Sequence, residues 1–144
     1  MMFASAMTEV VVLVAVLLGA GAFGLWRMRT DGRTRVARSD VADALSPDDI
    51  GAPLGERATL LQVSSVFCAP CKATRQVLGR VAEAVPGVQH VEVDAESRLD
   101  LVRRLDVRRT PTTLVLDGSG REVRRATGVP RADEVLAVLT EAVA

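Results

Sequence analysis

Cys68 and Cys71, in the run SSVFCAPCKATR (64–75), are the only thiols of this chain. A pair at that spacing can be a structural clip, half of a metal site, or a dithiol that opens and closes. A loop this short constrains the unfolded chain little, so it makes a poor staple. A structural zinc site takes four ligands. Cys68, Cys71 and the single histidine, His90, supply three at most, and there is no second cysteine pair. No metal is therefore expected. The redox reading needs only two thiols that reach one another and something that ionises one of them.

The elements around the pair provide both. Residues 59–67, TLLQVSSVF, are apolar and rich in strand formers, and they run directly into Cys68. Residues 70–85 place Val77, Leu78, Val81, Ala82 and Val85 on one helical face, and Pro86-Gly87 stops them. Cys68 thus falls where a strand ends and a helix begins. Unpaired N–H groups and the helix dipole favour a thiolate there, so its pKa is expected to fall toward neutral. Cys71 comes one turn later, inside the helix, and Pro70 sits in the first turn, where a missing N–H is harmless. Cys68 is expected to attack a disulfide and Cys71 to resolve the mixed disulfide.

Further along, residues 88–95 alternate, with His90, Glu92 and Asp94 against Val91 and Val93. A short helix is expected at 97–105. TTLVLD (112–117) is a continuous apolar run, expected as a central strand. GSG then turns into an arginine-rich edge strand, 121–128, paired antiparallel with it. A last helix at 131–143 buries Val135, Leu136, Val138, Leu139 and Val143. The order β-α-β-α-β-β-α predicts an α/β fold, a mixed sheet with helices on both faces.

The chain is 49% hydrophobic and 25% charged, which marks it as globular, and its formal net charge is zero, so nothing global points to nucleic acid. The absence of tyrosine excludes a phenolic catalyst, and one histidine leaves little for a Ser-His or Cys-His arrangement. Residues 10–26 form a different kind of segment, VVVLVAVLLGAGAFGLW, without a charge. As a helix it would be roughly 25 Å long, near the lower limit for a bilayer span, with Trp26 in the interfacial belt. No basic residue precedes it, which argues against a cleaved signal peptide despite the AGA at 20–22. Glu9 lies before the run, and Arg27, Arg29, Arg33, Arg35 and Arg38 follow it, which places the C-terminal side in the cytoplasm. Three segments are expected: a transmembrane anchor at 1–26, a basic juxtamembrane linker with a short ordered segment at 27–58, and the α/β domain at 59–144. In the linker, Ser39 is a candidate N-cap, followed by Val41, Leu45, Pro47, Gly51, Pro53 and Gly55.

Residues 59–143 resemble a thioredoxin-fold domain. FCAPCK (67–72) is similar to the family's Trp-Cys-Gly-Pro-Cys-Lys signature, and RTPTTLVLDGSGREV (109–123) resembles its loop and hairpin, in which a cis-proline precedes a central strand. Gly128 matches the glycine that follows the next strand. The resemblance implies that Pro111 is cis and faces the cysteines, that Thr110 offers backbone groups to an extended substrate, and that Phe67 supplies an apolar cover. It also exposes departures. Phe67 stands for the signature tryptophan and Ala69 for glycine. Gln62 stands where the family has a buried acid that assists proton transfer at the second cysteine, and His90 aligns with the lysine that partners it. Gln62 cannot take a proton, so Cys71 must be served by water, His90 or another route. Arg108 and Arg109 are candidate rim residues beside the proline loop, while Arg103 and Arg104 read as helix surface.

The expectation is a membrane-anchored thioredoxin-like oxidoreductase that reduces protein disulfides, with no cofactor beyond the Cys68-Cys71 disulfide. Its partners are protein thiols and disulfides, an electron donor that the sequence does not identify, and the lipid bilayer. Three alternatives stay open: the same chemistry on the extracytoplasmic face, as in cytochrome maturation; a non-enzymatic docking module for a membrane partner; and a redox sensor.

Overall fold

Two apolar runs build the centre of the sheet. Residues Ala58–Ser64 and Thr112–Asp117 are both strands, buried over nearly their whole length on both faces, and they pair antiparallel with Gln62 opposite Thr113. The computed structural model describes residues 2–30, 34–36 and 44–142, with side chains at 11–26 and 44–142. Its elements are α1 (Met2–Thr30), β1 (Thr34–Val36), α2 (Pro47–Ile50), β2 (Ala58–Ser64), α3 (Ala69–Ala84), β3 (Val88–Asp94), α4 (Leu99–Arg104), β4 (Thr112–Asp117), β5 (Glu122–Thr127) and α5 (Ala132–Ala142). The sheet order is β1-β5-β4-β2-β3, with β2 and β3 parallel and the other pairs antiparallel.

Period-two alternation sorts the core into two layers. Leu61, Val63, Val91, Val93, Leu114 and Leu116 face α2 and α4, where Ile50, Leu101 and Leu105 meet them. Leu60 and Val115 face the other way, against Leu78 and Val81 of α3 and Val135, Val138 and Leu139 of α5. The apolar stripes expected on the helices at 70–85 and 131–143 supply those side chains, with Leu136 the exception at 40% exposed.

Two expectations are corrected on this unit. The segment read as linker up to residue 58 contributes to the core: Leu45 and Ile50 are 2% and 4% exposed. Its local order is a capping box at α2, in which the Ser46 hydroxyl accepts from the Asp49 N–H and the Asp49 carboxylate accepts from the Ser46 N–H. Arg104, on the exposed surface of α4 as expected, pairs with the same Asp49 and ties α4 to α2. Second, β5 is not the edge, because β1 pairs with it, Arg35 opposite Arg125. Sequence pattern gave no sign of a three-residue strand among the arginines. Ser39 and Val41 lie outside the described residues.

The chain divides into two units, Met1–Asp31 and Gly32–Ala144. In the first, α1 is 29 residues long, and every described side chain on it, 11–26, is exposed. The rings of Phe23 and Trp26 lie 5.9 Å apart between centroids, tilted by 44°. Among the described residues no helix is long and apolar enough to cross a membrane.

Candidate active site

Strand β2 ends at Ser64, three residues earlier than the apolar run suggested. The Ser64 carbonyl accepts from the Ala95 N–H at 2.8 Å, and the chain then turns outward through Val66 and Phe67, which are 69% and 97% exposed. Phe67, expected as an apolar cover that meets substrate, thus presents an open apolar face next to Cys68 in the chain. The turn delivers Cys68 to the N-cap position of α3 with extended backbone, φ −108° and ψ 92°, and no side chain caps the helix there. Cys71 lies within the first turn, its N–H donating to the Cys68 carbonyl at 3.1 Å. The two cysteines are joined in a disulfide with their Cα atoms 5.3 Å apart. Cys68 is partly exposed and Cys71 is 2% exposed, so one sulfur is open to a partner and the other is set behind it.

The loop before β4 comes up beside them. The Thr110-Pro111 peptide bond is cis. Pro111 is buried and its carbonyl accepts from the Gly128 N–H at 2.8 Å, while Thr112 Oγ1 donates to the Arg109 carbonyl at 2.7 Å. The Thr110 and Ser65 hydroxyls are 3.0 Å apart and tie this loop to the turn that carries the cysteines. Arg108 is exposed and pairs with Asp106 at 3.0 Å, and Arg109 is exposed as well.

Behind Cys71 lies a polar layer in which Gln62 is fully buried. Its Nε2 lies 2.8 Å from Ser64 Oγ, 3.0 Å from the Cys71 carbonyl and 3.3 Å from Glu92 Oε1, and its two protons are shared among these three acceptors. A backbone carbonyl and a carboxylate can only accept, so the amide nitrogen must face them and its oxygen is left to His90, 3.1 Å away. His90 Nε2 is then the protonated nitrogen of a neutral ring. Burial pushes the His90 pKa down, opposed by the Glu92 carboxylate and assisted by Arg75. Glu92 in turn is held below the usual carboxylate range, first by its hydrogen bonds from Arg75, against the opposing effect of burial. Arg75 grips it through both Nε and a terminal nitrogen. The structure thus brings Gln62 and His90 together behind Cys71, with Thr110 and Pro111 on the neighbouring loop.

Sequence reasoning missed Glu92 and Arg75 as members of this layer. The available signal was parity: Glu92 shares its strand face with His90, and Arg75 lies four residues after Cys71 on a helix. It also missed Thr74 and Thr113, whose hydroxyls are buried without a hydrogen-bond partner among the described residues. Such a hydroxyl carries a desolvation penalty of about 1–3 kcal/mol. Thr113→Val is therefore expected to raise the unfolding free energy by about 1 kcal/mol, read as a higher urea midpoint at unchanged slope. A lower midpoint would mean that the hydroxyl is paired in solution.

Comparisons with known proteins agree with this geometry. A family model described as a thioredoxin-like domain matches residues 50–142. The chain is 25% identical over 101 residues to the thioredoxin of Chlamydia trachomatis, across 70% of this chain and 98% of that protein. Among solved structures it is similar to thioredoxin f from spinach chloroplast, with a TM-score of 0.56, 26% identity, and coverage of 69% of this chain and 87% of that one. The thioredoxin NaTrxh from Nicotiana alata superposes with a TM-score of 0.55 at 24% identity, over 62% of this chain and 76% of that one.

Proposed function

The chain belongs to the thioredoxin-like domain family and is a thiol-disulfide oxidoreductase, and from that premise we propose that it reduces protein disulfides by a Cys68-Cys71 dithiol cycle while held at a membrane by its N-terminal helix. The observation that carries the cycle is the disulfide itself, placed at the first turn of α3 with Cys68 accessible and Cys71 buried. In the reduced protein the Cys68 thiolate attacks a substrate disulfide. A mixed disulfide forms and one substrate sulfur leaves as a thiolate. Cys71 then attacks Cys68 Sγ, the ring disulfide closes, and the second substrate thiolate leaves, so two electrons have passed to the substrate. A dithiol donor returns the protein to its reduced form. An extended substrate segment lies along Thr110 and Pro111, and Phe67 packs against its apolar side chains.

The membrane reading is supported by the uncharged run at 10–26 and by the exposure of every described side chain in it. Apolar side chains on all sides of a helix need a nonaqueous neighbour. The arginines that follow the run favour a catalytic unit on the cytoplasmic face. The full-length protein should sediment with membranes, accelerate reduction of insulin by dithiothreitol, and resist an impermeant thiol reagent in intact cells. Failure to accelerate insulin reduction would sink the activity. Recovery in the soluble fraction would sink the anchor, and ready labelling of reduced Cys68 from outside would reverse the orientation.

A further inference from the structure

Gln62 cannot ionise, yet it joins the turn that carries Cys71 to an ionised carboxylate. Its Nε2 bonds both the Cys71 carbonyl and Glu92 Oε1. Arg75, four residues after Cys71 on the same helix, closes the circuit by gripping both oxygens of Glu92. A simple surface ion pair is worth little and needs no buried amide. In this pair Arg75 is 56% exposed, but the carboxylate, its side chain 25% exposed, also accepts from the fully buried Gln62 amide. The groups facing the amide are accounted for from each element: His90 and Glu92 from β3, Arg75 from α3, and the nontitrating Ser64 and Thr113 from β2 and β4. Lys72, beside Cys71, is exposed.

We propose that Glu92 and Arg75 are positioning residues for disulfide exchange at Cys71, their opposite charges acting through the Gln62 amide to set how readily the reduced Cys71 sulfur ionises. The proposal rests on the reading of Cys68 and Cys71 as an exchanging pair. In the resolving step the Cys71 thiol gives its proton to water, and its thiolate bonds Cys68 Sγ as the bond from Cys68 to the substrate sulfur breaks. The electron pair of that bond leaves with the substrate thiolate. An anion at Glu92 opposes the Cys71 thiolate and a cation at Arg75 favours it, so the pair holds the sulfur near balance. The usual family site puts an acid at position 62. Here the titrating group stands one strand over and reaches the cysteine turn by relay.

The test uses full-length reduced protein carrying Cys68→Ser, in which Cys71 is the single thiol, and reads the rate of iodoacetamide alkylation against pH. Glu92→Gln keeps an acceptor oxygen for Gln62 and removes the negative charge. It is expected to move the midpoint down by about half a pH unit, roughly threefold in thiolate fraction below the midpoint. Arg75→Gln should move it up by a similar amount, Arg75→Lys should leave it near the parent, and Arg75→Gln with Glu92→Gln together should bring it back. Opposite signs are the signature of charge. A purely structural role would lower stability in both single variants and leave the midpoints alone, and shifts of the same sign or none would overturn the proposal. Because the readout requires no turnover, it stands apart from the insulin assay. Opposed shifts without insulin reduction would sink the oxidoreductase reading alone, and insulin reduction without opposed shifts would sink this one alone.

Discussion

Full-length protein with Cys71→Ser is expected to accumulate mixed disulfides with its targets, while Cys68→Ser traps nothing and reduces nothing. The reason is positional. Cys68 is partly exposed at the N-cap of α3, at the positive end of the helix dipole, and Cys71 is buried one turn in. With the two Cα atoms 5.3 Å apart, the attack of Cys71 on Cys68 is intramolecular. Well-oriented intramolecular steps have effective concentrations far above any thiol in solution, so losing Cys71 should slow release on the order of a thousandfold or more. The first attack should survive. A nonreducing gel of both variants, with iodoacetamide rates for each remaining thiol, reads the outcome. Trapping by Cys68→Ser instead would exchange the two roles.

Gln62→Asp is expected to destabilise the protein by about 3 kcal/mol at neutral pH and to reverse its acid response. The new carboxylate would be fully buried, opposite Glu92 across the β2-β3 pair, and beside the Cys71 carbonyl. Burial and a like charge both raise its pKa. Its contribution is then present below the unfolded value and lost as pH rises through the folded one. The wild type runs the other way. Glu92 is depressed, so its stabilisation is present above the unfolded carboxylate value and lost as pH falls through the folded one. His90 is also depressed, so protonation below its unfolded value weakens the native state too. Between neutral pH and about pH 4, the wild type should lose stability and Gln62→Asp should gain it. Equal slopes in urea titrations across that range would show that residue 62 is not enclosed as described.

Much of the α/β unit was legible because its signals are local. The apolar runs at 59–67 and 112–117 read as strands and hold β2 and β4, and the stripes at 77–85 and 135–143 read as helix faces and supply Leu78, Val81, Val135, Val138 and Leu139 to the core. The glycine turn at 118–120 fixed the hairpin, with Gly120 at φ 83°, where its backbone packs against the Leu45 carbonyl. The contribution of Leu45 and Ile50 to the core was hidden by the Pro and Gly residues around them, which read as linker. Their burial depends on the α2-α4 layer, which no local pattern encodes. The end of β2 at Ser64 was hidden as well, because Val66 and Phe67 have strand propensity and are turned into solvent by the approach to α3.

By itself the sequence determined the chemistry available: two thiols three residues apart at a strand-to-helix junction, no third thiol, one histidine, and a proline loop some forty residues on. It also determined that residue 62 carries an amide and no acid. Only the tertiary structure decided what that amide does. Gln62, Cys71, His90 and Glu92 come from two strands and a helix, and Arg75 reaches back from that helix to close the set. Spacing along a chain fixes which face a side chain takes within its own element. The pairing of β2 with β3 and the seating of α3 upon them fix which faces meet, and a hydrogen bond of about 3 Å exists only once they have met.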